Sequence, residues 1–157
     1  MRVLGIDPGF DRLGLAVIEG DPSRPTHIWS DCVTPPKGAQ DERLAAVHEA
    51  VASAISTYSP DLVALETLFF SSNKKTAISV AEARGAILSA AGEAGIKVSE
   101  HSPGTVKLAV TGSGRADKKA IAMMVPKLIA LPVKKRLDDE LDALAVAICA
   151  LSTARSR

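Results

Sequence analysis

In the stretch VLGIDPGFDRLGLAVIEG, residues 3–20, an aliphatic run ends in a single aspartate, Asp7, turns at Pro8 and Gly9 and resumes as a second apolar run over 13–18. Two such runs about a Pro-Gly turn predict adjacent strands. An unpaired, ionised carboxylate in the core they would share costs several kcal/mol. Asp7 therefore calls for a compensating partner, unless it is simply the turn residue that Asp before Pro-Gly often is.

Working outward, residues 27–33 read as a third strand, joined to the second by the turn-rich EGDPSRP of residues 19–25. Short links between three sequential strands predict an antiparallel meander. Residues 41–58 have helical apolar spacing (Leu44, Val47, Val51, Ile55), and 61–65 form a short aliphatic strand ending in Glu66. A strand reached through a helix lies parallel to an earlier one. Helix 76–94, strand IKVSEHS at 96–102, short helices over 105–110 and 116–129 broken at TGSG, and a last helix over 138–152 complete the chain. This order predicts an α/β fold with one mixed five-stranded sheet flanked by helices. Neither an internal repeat nor a low-complexity tract interrupts it.

A length of 157 residues and a hydrophobic content of 46% suit a single domain over 1–157, the last few residues forming a flexible tail, and exclude a disordered chain. The first residues run straight into strand-like sequence without a basic n-region and cleavage site, and the longest apolar run, 143–151, is too short to span a bilayer. A cytoplasmic protein with no membrane partner is expected. Cys32 and Cys149 sit among apolar neighbours and read as small buried hydrophobes in a reducing compartment.

The net charge of +1 hides an asymmetry: residues 101–136 hold eight basic side chains (Lys107, Arg115, Lys118, Lys119, Lys127, Lys134, Lys135, Arg136) against one acid, Asp117. That segment carries +7 and the rest of the chain −6. A basic face on an otherwise acidic domain suits a polyanion. A solvated helical surface would show the same run.

The acids fall at element ends. Asp7 and Glu66 lie on strands, and DDELDALAVAICAL opens the last helix with Asp138, Asp139, Glu140 and Asp142. At ~100° per residue, Leu137, Leu141, Leu144, Ile148 and Leu151 form one stripe, with Asp139 and Asp142 about 60° apart on the opposite side. That side is apolar further along (Val146, Cys149, Ala150), so the helix is expected to be buried nearly all round with two carboxylates projecting towards protein. Each acid has a plain structural alternative: Asp138 as a helix cap, Glu140 as a partner for a lysine, Glu66 as a cap where strand meets helix. Four acids from three separated segments make a shared site the more economical reading, with a cation to relieve their repulsion. Oxygen ligands without a His or Cys cluster select Mg²⁺ or Mn²⁺ over Zn²⁺. Two such ions about 4 Å apart activate a water and stabilise the leaving 3′-oxygen at a phosphodiester. The acids then supply chemistry, and the basic segment holds the nucleic acid.

The stretches GIDPGFDRLGLAVIE, LALETLFF, AEARGAI, HSPGTVKLAVTGSGRADKKAIAMMV and DDELDALAVAIC together resemble the RuvC family, the bacterial Holliday-junction resolvases. The resemblance covers nearly the whole chain. It implies a ribonuclease H-like fold, a homodimer, Mg²⁺-dependent paired incision of four-way junction DNA with Mn²⁺ as a substitute, and coupling to the RuvA and RuvB branch-migration complex. The family's acids carry over onto Asp7, Glu66, Asp139 and Asp142, although Asp138, beside Asp139, can trade roles with it. Lys107, Lys118 and Lys119 match basic positions that approach the scissile backbone, and Arg115 of the same segment is read as DNA-binding. Phe69 is implied to stack on a base at the opened junction centre, whereas the residues alone make Phe69 and Phe70 equally good core anchors. Three rivals remain: an actin-like ATPase or sugar kinase, which normally needs a longer, two-lobed chain; a silent junction-binding module; and a nuclease of this fold acting on RNA.

Overall fold

The computed structural model of the chain describes residues 1–9, 11–67 and 74–154, with the backbone alone for 74–76. Strand β1 (Arg2–Asp7) pairs antiparallel with β2 (Leu13–Asp21), and β2 with β3 (Arg24–Val33). Helix α1 (Gln40–Tyr58) then crosses over to β4 (Leu62–Glu66), which lies parallel to β1. After α2 (Lys74–Glu93), β5 (Val98–His101) pairs parallel with β4, giving a mixed sheet of order β3-β2-β1-β4-β5. Helices α3 (Pro103–Thr111), α4 (Lys118–Leu128) and α5 (Asp138–Thr153) follow. The expected five-stranded mixed sheet flanked by helices is the fold observed.

Successive side chains on a strand face opposite ways, and two cores result. Leu4 and Ile6 of β1, Leu13, Leu15 and Val17 of β2, and Val63 and Leu65 of β4 pack against α1 and α2 through Val47, Val51, Ile55 and Ile87. Val3, Ala16, Ile18 and Ala64 pack on the other face, against α5 and, beyond it, Val106, Val110, Ile121 and Val125 of α3 and α4. The same alternation turns Asp7 and Glu66 to the α5 face. Because Ile6 lies level with Leu65, these two acids end neighbouring parallel strands.

Helix α5 is buried from Ala143 to Leu151, and two glycines let it lie that close. A Cβ at Gly14 would sit 1.9 Å from the Asp139 carbonyl oxygen, and one at Gly5 would sit 2.3 Å from that of Ala143. No side chain fits there. The helices around it begin on local signals: Ser102 accepts a bond from the Thr105 N–H at α3, and Asp117, the one acid of the basic segment, caps α4 through the Ala120 N–H at 2.8 Å.

Three expectations are corrected. Strands β2 and β3 run through most of the stretch read as a turn, leaving only Pro22 and Ser23 between them. Pro25 is tolerated because β3 is an edge strand, where a missing N–H costs no ladder bond. Cys32 is only partly buried, since it lies on that same edge, whereas Cys149 is fully enclosed. Leu137 is exposed and precedes α5 instead of joining its buried stripe. The readings on Phe69, Phe70 and the last residues of the chain fall outside the described residues. Among the described residues, no helix is long and apolar enough to cross a membrane.

Candidate active site

The C-terminal ends of β1 and β4 and the first turn of α5 meet at one edge of the sheet. This is where open α/β sheets commonly bind ligands. Asp7 is largely buried there, and its carboxyl is pushed up to about 7, first by burial and then by the negative charges of Asp142, Asp139 and Glu66, with Lys118 acting against them. Burial and Asp142 likewise raise Glu66, against Lys107 and Lys118. Asp142 is also raised, with burial outweighing Lys118. Of the neighbouring acids, it is Asp139 that acts on Asp7; Asp138 is exposed and lines a cleft of about 160 Å³ with Lys118, Lys119, Ala122, Leu141 and Asp142. Asp139 thus bears on Asp7, while Asp138 bears on Asp142 and Lys118.

Positive charge at the cluster is sparse. Lys118 Nζ is 3.4 Å from Asp142 Oδ2, and Arg12 Nε is 3.1 Å from Asp139 Oδ2. The latter contact is an ion pair without a directed bond, because Asp139 Oδ2 is buried and accepts no hydrogen bond. Among the described residues, no three His, Cys, Asp or Glu side chains form a ready-made metal cage. Their chemistry nonetheless suits a hard cation: only oxygen donors, one of them a buried orphan, and carboxyls raised by mutual repulsion.

Glu140 differs from its neighbours. It is 3% exposed, and its Oε1 accepts from Ser30 Oγ at 2.6 Å and Arg136 Nε at 3.1 Å and forms an ion pair with Lys134 Nζ at 2.9 Å. The lysine partner expected for Glu140 is present, with an arginine and a serine added. Arg84 of α2 holds the other side of the site: Nη1 donates to the Glu66 carbonyl at 3.1 Å while the guanidinium also pairs with Glu100. Of the expected DNA-binding residues, Lys107 lies close enough to lower Glu66, Lys118 pairs with Asp142, Lys119 lines the cleft, and Arg115 is exposed between α3 and α4. Sequence reasoning missed Arg12 and Arg84. Arg12 stands outside the basic segment, and its only signal was a cation five residues after Asp7 in the same turn; Arg84 was hidden inside an apolar helix.

The family model described as Crossover junction endodeoxyribonuclease RuvC matches residues 3–150. The chain belongs to the RuvC family. The crossover junction endodeoxyribonuclease RuvC of Moorella thermoacetica is 42% identical over 155 residues, 98% of this chain and 93% of its own length. The solved structure of Thermus thermophilus RuvC superposes with a TM-score of 0.89 at 36% identity, covering 99% of this chain and 96% of that one. The same protein in complex with a Holliday junction substrate gives 0.92 at 35% identity over the same shares. The fold is ribonuclease H-like, and RuvC membership carries the activity of a structure-specific endodeoxyribonuclease, a metal-dependent hydrolase of crossover (Holliday) junctions in recombination and repair.

Proposed function

We propose that Asp7, Glu66, Asp139 and Asp142 are the catalytic and metal-holding residues with which this RuvC-family chain makes paired, symmetrical incisions in four-way junction DNA. The observation that carries this reading is the convergence of the four carboxylates at one sheet edge, with Asp7 pushed up to about 7 by burial and by the negative charges of the other three. These acids would hold Mg²⁺, two ions per site, with Mn²⁺ as a substitute. Once bound, the metal would supply an activated water and stabilise the leaving 3′-oxygen.

The chain's own side chains do the rest. Lys107 and Lys118 bring positive charge to the carboxylates from α3 and α4, where each can hold a phosphate of the strand being cut. Lys119 and Arg115 extend that charge along the same segment, fixing the DNA backbone without reading its sequence. Arg84 fixes the end of β4 and so the height of Glu66 at the edge. Phe69, three residues beyond Glu66, stacks on an unpaired base at the junction centre. A four-way junction has near two-fold symmetry and needs two cuts, so a closed homodimer presenting two identical sites fits it. The protein acts in the cytoplasm with RuvA and RuvB.

The test is cleavage of a labelled synthetic four-way junction beside linear duplex and RNA–DNA hybrid controls, in Mg²⁺, Mn²⁺ or EDTA, for the wild type and Asp7→Asn. Symmetrical nicks in the junction alone, lost in EDTA and in Asp7→Asn, are expected. Cutting of the hybrid, or junction binding without cutting, would refute the assignment.

A further inference from the structure

We propose that Arg12 is an exchangeable counter-ion: it neutralises Asp139 while the carboxylate cluster lacks a cation, and it is handed over to a DNA phosphate when a divalent ion takes Asp139. The proposal rests on the reading of the cluster as a metal site and adds a coupling between metal and DNA binding that runs through one side chain.

Three features carry it. The contact is electrostatic, with Arg12 Nε 3.1 Å from Asp139 Oδ2, yet that oxygen accepts no hydrogen bond. A guanidinium fixed for structure would normally engage a carboxylate through directed, often paired, N–H bonds. The two partners are also unequally placed: the Arg12 side chain is 47% exposed and the Asp139 side chain 20%. The cation stands on the solvent side, where DNA must approach, and the anion on the protein side. Finally, the backbone under Arg12 is held while its side chain is long. A Cβ at Gly9 would lie 2.1 Å from the Arg12 carbonyl oxygen, so the backbone at residue 12 lies against that at residue 9, and Asp11 is tied to α1 through Arg43 Nη2 at 2.8 Å. Movement is thereby confined to the side chain.

A hard divalent ion competes directly for the oxygen that Arg12 faces, because it prefers carboxylate oxygens and carries twice the charge. Once displaced, an exposed guanidinium beside a site that cuts a phosphodiester is suited to a phosphate, which it binds in the same forked geometry as a carboxylate. Lys118, 78% exposed, pairs with the other α5 acid and donates a hydrogen bond to Asp142 Oδ2 at 3.4 Å. Arg12 differs from it in coming from the β1–β2 turn, outside the basic segment.

The experiment compares wild type, Arg12→Gln and Asp139→Asn in two measurements. Mn²⁺ binding to the DNA-free protein is followed by the paramagnetic resonance of free Mn²⁺. Junction binding is followed over a salt series in EDTA and in Ca²⁺. Arg12→Gln is expected to bind Mn²⁺ roughly three- to tenfold more tightly, since no ion pair has to be broken first. Its salt dependence of junction binding should fall by about one phosphate contact in Ca²⁺ and stay unchanged in EDTA. Unchanged or weaker Mn²⁺ binding in Arg12→Gln overturns the proposal, and so does a salt slope that falls equally in EDTA and Ca²⁺ or in neither. If Asp139→Asn leaves Mn²⁺ binding at the wild-type level, the metal-site reading itself fails. If Asp139→Asn weakens it and Arg12→Gln does not tighten it, only the exchange fails.

Discussion

Replacing Asp7 with asparagine should stabilise the metal-free protein, and the gain should grow with pH. The Asp7 carboxyl lies at about 7 in the folded chain against 3.8 for the ordinary group. At about 1.36 kcal/mol per unit, that difference is on the order of 4 kcal/mol. Its sign follows from which state holds the proton. Below pH 3.8 both states are protonated and nothing is lost; between 3.8 and about 7 the unfolded chain releases a proton that the folded chain keeps, so folding stability falls as pH rises. Above about 7 the full penalty is present. Glu66 and Asp142, also raised, add in the same direction. Asp7→Asn should therefore match the wild type near pH 4 and exceed it by up to ~4 kcal/mol near pH 8, an upper limit of roughly 8–16 °C in melting temperature for a chain of this size. Thermal melts followed by circular dichroism in EDTA across this range measure the difference, and general acid denaturation cancels between the two proteins. Saturating Mg²⁺ should then narrow the gap, because it stabilises only a folded state that binds it. A variant less stable than wild type at pH 8, or a gap that does not change with pH, would refute the reasoning and make Asp7 a structural residue.

Other substitutions separate scaffold from chemistry. Glu140→Ala leaves Lys134 and the nearly buried Arg136 without their carboxylate and should cost roughly 3–5 kcal/mol in urea unfolding, the range for breaking a buried pair from one side. Gly14→Ala drives a methyl group into the Asp139 carbonyl, so α5 must shift away from β2; both melting temperature and junction cleavage should drop, with cleavage lost even where the protein still folds. Lys107→Ala should lower the cleavage rate and the salt slope of junction binding by about one contact while leaving the melting temperature nearly unchanged, since Lys107 is only half-buried.

The sheet and the helices were legible because their signals are local and repeated. Short aliphatic runs in VLGID and LVALE, helical spacing from Leu44 to Ile55, and Pro and Gly at the breaks all agree with one fold, which is the consistency expected of a foldable sequence. The four acids were legible through a violation of the same rules, each standing at the end of an apolar element. Partnerships between distant segments left no such mark. Ser30 and Glu140 are 110 positions apart and Arg12 and Asp139 further still, so neither pair shows in any window of sequence. Cys32 misled for a related reason: its neighbours are apolar, but an edge strand has no partner on one side to cover it, and edge position follows from the sheet order.

The N-terminal end of α5 holds acids in two different settings. Asp139, Glu140 and Asp142 lie within four residues, and all three are turned away from bulk solvent. A core needing only charge balance would treat them alike. Instead Glu140 receives two cations and a hydroxyl at a single oxygen, while Asp139 has a buried oxygen that accepts no hydrogen bond and Asp142 has a lysine at 3.4 Å. Helix polarity does not account for the difference between Asp139 and Glu140, since both lie in the first turn. The helix is instead anchored through Glu140, on the side facing β3 and the loop before α5, which leaves the opposite side free to carry charge the protein does not itself neutralise. Such a deficit destabilises the fold, and it is a disadvantage the chain can carry only if something outside it, a cation and then a phosphate backbone, completes the site. Underpartnered carboxylates on a helix fixed by a fully partnered one are therefore a stronger indication of function than the number of acids alone.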